Sequence, residues 1–219
     1  MKRLFSYDSA VTRFLMQFCS ACCLGVLWLL CSLPVFTAGA ATAALYTVTI
    51  KLVRETEGTS VTRQFFRAFR SNFRQATQLW LIALGVGILL GVDGYVLYHM
   101  RLTSTGTPAI LWTLLLAVLI AAALLYAAVM VYLFPLVAYF ENDNRSMLKN
   151  ALLMGVRYLF CTIAVLAIHV ALLWVVINLF TPLFLFGEGL AALFSSYLLS
   201  NVLMAVSGEN RADTDEAAL

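Results

Sequence analysis

Charge is what this sequence has least of. Only 11% of its 219 residues are Asp, Glu, Lys or Arg, against about 25% in an ordinary soluble domain. That is too few to coat a globule in water, which excludes a soluble enzyme or soluble binding module. Histidine is scarcer still: His99 and His169 are the only two, and neither stands at helical spacing from a carboxylate. No Gly-rich phosphate loop, HExxH pair or GxSxG elbow occurs, so the motifs that carry phosphoryl transfer, zinc hydrolysis and acyl transfer are all missing. The chain is therefore expected not to be an enzyme, and no catalytic, cofactor-binding or metal-ligating residue is assigned. A net charge of +3 is too small to point to nucleic acid as a partner. Cys19, Cys22, Cys23, Cys31 and Cys161 all fall within apolar runs, where cysteine acts as a small packing residue. The Cys19, Cys22, Cys23 cluster has helical spacing but no nearby His or carboxylate, so packing is favoured over ligation, and no disulfide framework is expected.

What the sequence has in abundance is apolar length, with 63% hydrophobic residues. A membrane-spanning helix needs about 20 mostly apolar residues, and the chain offers runs at 14–33, 37–53, 77–100, 108–140, 158–180 and 182–206. The first has no small-residue cleavage site and is taken as a retained span. It ends at Pro34, which cannot continue a helix. The second run is short and full of small residues. Gly39, Ala40, Ala41 and Ala44 are expected to pack closely against a neighbouring helix, and the run either crosses fully or turns back as a re-entrant arm. The fourth run exceeds what a bilayer requires, so it is expected to tilt, to kink near Pro135 or to protrude. The fold class expected is an all-α membrane protein of about six transmembrane helices in one domain over 1–207, followed by a disordered polar tail at 208–219.

Between the second and third runs the composition changes. Arg63, Arg67, Arg70 and Arg74 recur every three or four residues, with Phe65, Phe66, Phe69 and Phe73 as a second stripe. This predicts an interfacial amphipathic helix over 60–75, its arginines reaching lipid phosphates and its phenylalanines the acyl boundary. A second polar stretch, 142–157, precedes the fifth run, and the two are expected to be cytoplasmic elbow helices. Threading all six runs puts 13 of the 14 basic residues on one side, with Arg101 alone on the other. By the positive-inside bias both termini are expected in the cytoplasm. For the arginine stripe, with Phe66, Phe69 and Phe73, lipid anchoring is the plainer reading and a partner-docking surface the sharper one.

Ionisable groups within apolar spans are costly and are functional candidates by default. Asp93, His169 and Glu188 are the three, as lining of a polar pathway or pocket. The plainer readings are that Asp93 reaches interfacial water, that Glu188 is hydrated at the outer face and that His169 bonds a neighbouring helix.

One stretch goes beyond composition. LWLLCSLPVFTAGAATAALYTVTIKLVRETEG, followed by FFRAFRSNFRQATQLWLI, covers 27–82, and FPLVAYFEN and MLKNAL extend a weaker match toward residue 152. This pattern resembles the YesL family. The resemblance implies a multi-pass protein of the bacterial cell membrane, linked to carbohydrate uptake of the ATP-binding-cassette type, and it supplies no catalytic residues. The partners it suggests are permease or ATPase subunits of such a transporter; membrane lipids are expected from the arginine stripe, and a second copy of the chain under the reading of a transporter acting alone. The leading functional expectation is a non-enzymatic accessory or regulatory component; the alternative is a small transporter or channel acting alone.

Overall fold

The computed structural model describes residues 10–54, 60–179 and 181–208. Its helices are α1 (Ala10–Ser32), α2 (Ala38–Val53), α3 (Val61–Thr103), α4 (Thr107–Tyr139), α5 (Asn144–Arg157), α6 (Leu159–Asn178) and α7 (Phe184–Ser207), and no strand occurs among the described residues. Six segments are long and apolar enough to cross a membrane: Thr12–Ser32, Val35–Val53, Val61–Thr103, Pro108–Tyr139, Leu159–Asn178 and Thr181–Ser207. The all-α membrane architecture read from hydropathy is therefore what the chain adopts. The tail beyond Gly208, the basic residues Lys2, Arg3 and Arg211, and Phe180 at the end of the fifth run lie outside the described residues.

The α1–α2 hairpin turns at Pro34. Its tip is closed by Thr37, whose hydroxyl lies 2.6 Å from the carbonyl of Cys31 and 2.7 Å from that of Pro34. Orphan carbonyls at the end of α1 thereby gain a partner where water is scarce.

Helix α2 is the centre of the molecule, packed against α1, α3, α4 and α7. Gly39, Ala40, Ala41 and Ala44 are all buried there. Lipid tails are as apolar as leucine, so helices associate in a membrane through close contact, which small residues permit. Gly39 shows how close: a Cβ there would lie 2.7 Å from the Ala76 carbonyl oxygen and would overlap the Trp80 side chain.

The interfacial helix expected over 60–75 does not form as a separate element; it is the beginning of α3. No glycine or proline occurs from 61 to 84, so nothing interrupts the helix. One buried stripe, Phe65, Ala68, Ala76, Leu79 and Ala83, runs through the junction. The aromatic stripe is divided accordingly: Phe65 is fully buried and Phe69 packs against the core, while Phe66 and Phe73 stay exposed.

Helix α3 has 43 residues, about 65 Å at ~1.5 Å per residue. Its basic half, not its apolar half, lies beside α2: Gly39 meets Ala76 and Trp80, and the Trp80 indole donates to the Val35 carbonyl at 2.7 Å at the hairpin tip. The stretch 81–103 adds about 35 Å beyond that level, and no residue of α3 past Ala83 is buried. It pairs with the first half of α4, where no residue from Pro108 to Ala127 is buried. Gly106, at φ +69°, makes the turn between the two, in a region only glycine enters freely. Helix α4 runs unbroken through Pro135, so its length is taken up without interruption of the helix.

The second polar stretch does form its own helix, α5, which packs antiparallel along the end of α4. Met147, Ala151, Met154 and Gly155 are its buried face, and Gly155 sits against Ala128. Tyr158, at φ −108° and ψ 48°, separates α5 from α6. Asp143 caps α5, its carboxylate accepting from the Arg145 amide at 3.2 Å. The Ser146 hydroxyl, with the neighbouring backbone amides, holds this carboxyl below the usual carboxylate range. A depressed pKa contributes stability above the unfolded value of about 4 that is lost as pH falls through the folded value. Acidification below about pH 4 should therefore fray the first turn of α5, read as faster hydrogen exchange at residues 145–148. Unchanged protection in that turn would show that the cap does not hold it.

Candidate functional site

Two polar loci emerge from this arrangement, one within the apolar helices and one at their charged end.

The first joins α6 and α7. His169 Nε2 stands 3.8 Å from Glu188 Oε1, the side chains being 32% and 27% exposed. His169 Nδ1 lies 2.9 Å from the Val165 carbonyl, one turn back on α6. A carbonyl only accepts, so Nδ1 carries the hydrogen and Nε2 is the atom left to exchange a proton with the carboxylate. Glu188 occupies the second turn of α7. The glycines beside it make that position possible. A Cβ on Gly187 would be 3.1 Å from Leu172 of α6, and one on Gly189 would overlap the backbone of α1 at Ala21 and Gly25. Each glycine thus lets α7 approach a different neighbour with Glu188 between them.

Asp93 does not join this pair. It lies exposed on the projecting part of α3, and α3 as a whole packs against α1, α2, α4 and the turn Val35–Thr37. The structure brings two of the three ionisable candidates together and sets the third apart.

The second locus is a cleft of about 640 Å³ between the ends of α2, α3 and α4. Lys51 and Arg54 come from α2 and its C-cap, Arg67 from α3, and Glu141 from the segment after α4. Arg54 is oriented by Tyr139: Nη1 donates to the phenolic oxygen at 3.0 Å, and the guanidinium carbon lies 5.7 Å over the same ring. Arg63, Arg70 and Arg74 are exposed on α3. Two hydrogen bonds tie α3 to the start of α5: Gln75 to the Asn142 carbonyl at 2.5 Å and Asn144 to Gln78 at 3.0 Å. They bring the exposed Arg145 and Lys149 of α5 onto the same end of the molecule.

Of this cleft, sequence reasoning had singled out Arg67 alone. Lys51, Arg54, Tyr139 and Glu141 were missed as a group because two segments remote in sequence supply them. A basic pair closing α2, and an aromatic and acidic pair closing α4, were the available signal.

The helices and these two loci define a multi-pass α-helical membrane protein. Within that class, the family described as "Protein of unknown function, DUF624" matches residues 21–94. Over 194 residues the chain is 26% identical to the uncharacterized protein YteU of Bacillus subtilis (strain 168), covering 89% of this chain and 80% of that protein. It is 27% identical over 198 residues to the uncharacterized protein YesL of the same organism, covering 89% of each. The chain is YesL-like, in agreement with the resemblance read from 27–82. No solved structure matches it.

Proposed function

We propose that the protein is a non-enzymatic membrane component that assists or regulates carbohydrate uptake of the ATP-binding-cassette type, meeting its partner through the charged end of its helices. The observation that supports this is the joining of α3 and α5 by the Gln75 and Asn144 hydrogen bonds. They unite two basic stretches, far apart in sequence, on continuous helices. A rigid charged surface suits steering and orientation of a partner. The carbohydrate link comes from the YesL resemblance. The sequence contains no P-loop, so a partner subunit supplies ATP hydrolysis in this reading.

Purification from the native host in mild detergent should recover transporter subunits with the chain. Replacing Arg63, Arg70 and Arg74 together by Glu should remove them while membrane insertion is kept. Recovery of no transporter subunit with the unaltered protein would overturn the reading.

The contact between His169 and Glu188 favours a second reading, a transporter or channel acting alone with this pair handling a proton. Flux of sugars or ions into liposomes, above empty vesicles and lost in His169→Gln, would establish that reading over the first.

A further inference from the structure

We propose that one flank of the projecting part of α3, centred on Asp93, is a docking surface within the membrane for a transmembrane helix of another protein that carries a lysine or arginine at mid-span. This goes beyond the accessory role, because it concerns the apolar part of the molecule and stands whether or not the charged end meets a transporter.

The pattern of the flank is the first argument. Helix α4 covers one side of this stretch, with Tyr126 against Gly87 and Leu119 against Gly94. Beside that contact Ile82, Val86, Leu89, Val96 and Met100 are all exposed, and Asp93 completes their alternating spacing of three and four residues. Positions so spaced share one face of a helix, and this is the repeat by which paired helices interlock, in membranes as in coiled coils. An apolar seam alone would suit lipid equally well.

Charge is the second argument and decides against lipid. Asp93 is the only Asp, Glu, Lys or Arg between Arg74 and Arg101. Arg101 lies about 12 Å along the axis on one side of it and Gln78 about 22 Å on the other. The Cα–Cβ bonds of a helix tilt toward its N-terminus, so the short Asp93 side chain leans away from Arg101 and further into the apolar stretch. Ionisable groups at such depth face a bundle interior, a water-filled cavity or a partner charge, because lipid offers neither water nor counter-ion. Glu188 has His169 at 3.8 Å; the Asp93 side chain has no hydrogen-bond or ion-pair partner among the described residues.

The third argument is that the chain does not supply the missing charge. Helix α4 has no basic residue along its length. His99 and Arg101 stand toward the tip of α3, where Arg101 donates to Thr113 at 2.6 Å. A second copy inserted the same way would set Asp93 against Asp93, two like charges. A helix with an ammonium or guanidinium at the matching depth satisfies the carboxylate, and one polar pair within an apolar seam also fixes the register of the two helices.

The test uses the full chain in phosphatidylcholine vesicles with single-span helical peptides of leucine and alanine that bear Lys, Leu or Asp at the midpoint. Association is read by energy transfer between labels. The Lys peptide should bind about tenfold more tightly than the Leu peptide. Asp93→Asn should remove that difference, and Asp93→Lys should transfer the preference to the Asp peptide. Leu89→Trp, on the seam, should weaken binding of the Lys peptide, and Ile88→Trp, exposed on the far side of α3, should not. Equal binding of the Lys and Leu peptides, or an equal loss in the two Trp variants, overturns the proposal. So does Asp93-dependent energy transfer between copies of the chain without peptide, which would assign the seam to a second copy. None of these readouts involves Arg63, Arg70 or Arg74, so this idea and the transporter association fail separately.

Discussion

Adding one methyl group at Gly189 should unfold the contact between the first and last helices. In Gly189→Ala the new Cβ would overlap the Ala21 carbonyl oxygen and lie 2.6 Å from the Gly25 nitrogen and 2.9 Å from its Cα. These are backbone atoms of α1, which cannot rotate away as a side-chain tip does. The reciprocal position is as tight, since a Cβ on Gly25 would lie 2.7 to 2.9 Å from the backbone of Phe186. Helix propensity pulls the other way, alanine being better than glycine by about 0.8–1 kcal/mol within a helix. Overpacking against fixed backbone costs about 1–3 kcal/mol, and more when neither side can relax, so the clash wins. We expect Gly189→Ala to lose about 3 kcal/mol, and Gly189→Val to give little monodisperse protein in detergent. The molecule contains its own control. Gly85 and Gly91 have open space where a Cβ would go, so alanine there should be neutral or stabilising by up to about 1 kcal/mol. Equal melting temperatures for Gly189→Ala and Gly91→Ala would show that α1 and α7 are not locked at this crossing.

The same crossing shows where reading a chain by hydropathy stops. Apolar run length is a local property, so six crossing-length segments, the break at Pro34 and the small-residue face of α2 were all legible. Which glycine meets which backbone is a property of two segments that are remote in sequence. Gly25 and Gly189 were therefore passed over in favour of the visible cluster at Gly39, Ala40, Ala41 and Ala44. The boundary between basic stripe and span failed for a related reason. A change in composition at Thr77 looks like a change of element, yet helix continuity depends on backbone, and no breaker stands there. Axial offset was invisible altogether. Nothing in a hydropathy profile says that α2 lies beside the arginine-bearing half of α3, or that Phe65 turns inward against it while Phe66 turns out. The basic cleft depends on that offset, because it sets Lys51 and Arg54 opposite Arg67.

Breaking the pair between α6 and α7 should cost stability in a way that a second substitution repairs. Loss of one partner from a buried ion pair costs about 3–5 kcal/mol. Both side chains here keep close to a third of their exposure, and interhelical polar contacts in membranes average only about 0.6 kcal/mol. We therefore expect about 1–2 kcal/mol for His169→Leu or Glu188→Leu alone. The double variant should recover most of that loss, since apolar side chains at both positions leave neither a carboxylate nor an imidazole unpartnered between the helices. Thermal melting of the four proteins gives the coupling directly, and strictly additive losses would mean that the 3.8 Å approach carries no interaction. The cycle also separates structure from work. If the pair only holds α6 to α7, the double variant regains both stability and whatever partner recovery or flux the unaltered protein shows. If His169 Nε2 and the Glu188 carboxylate exchange a proton in function, stability returns in the double variant and activity does not.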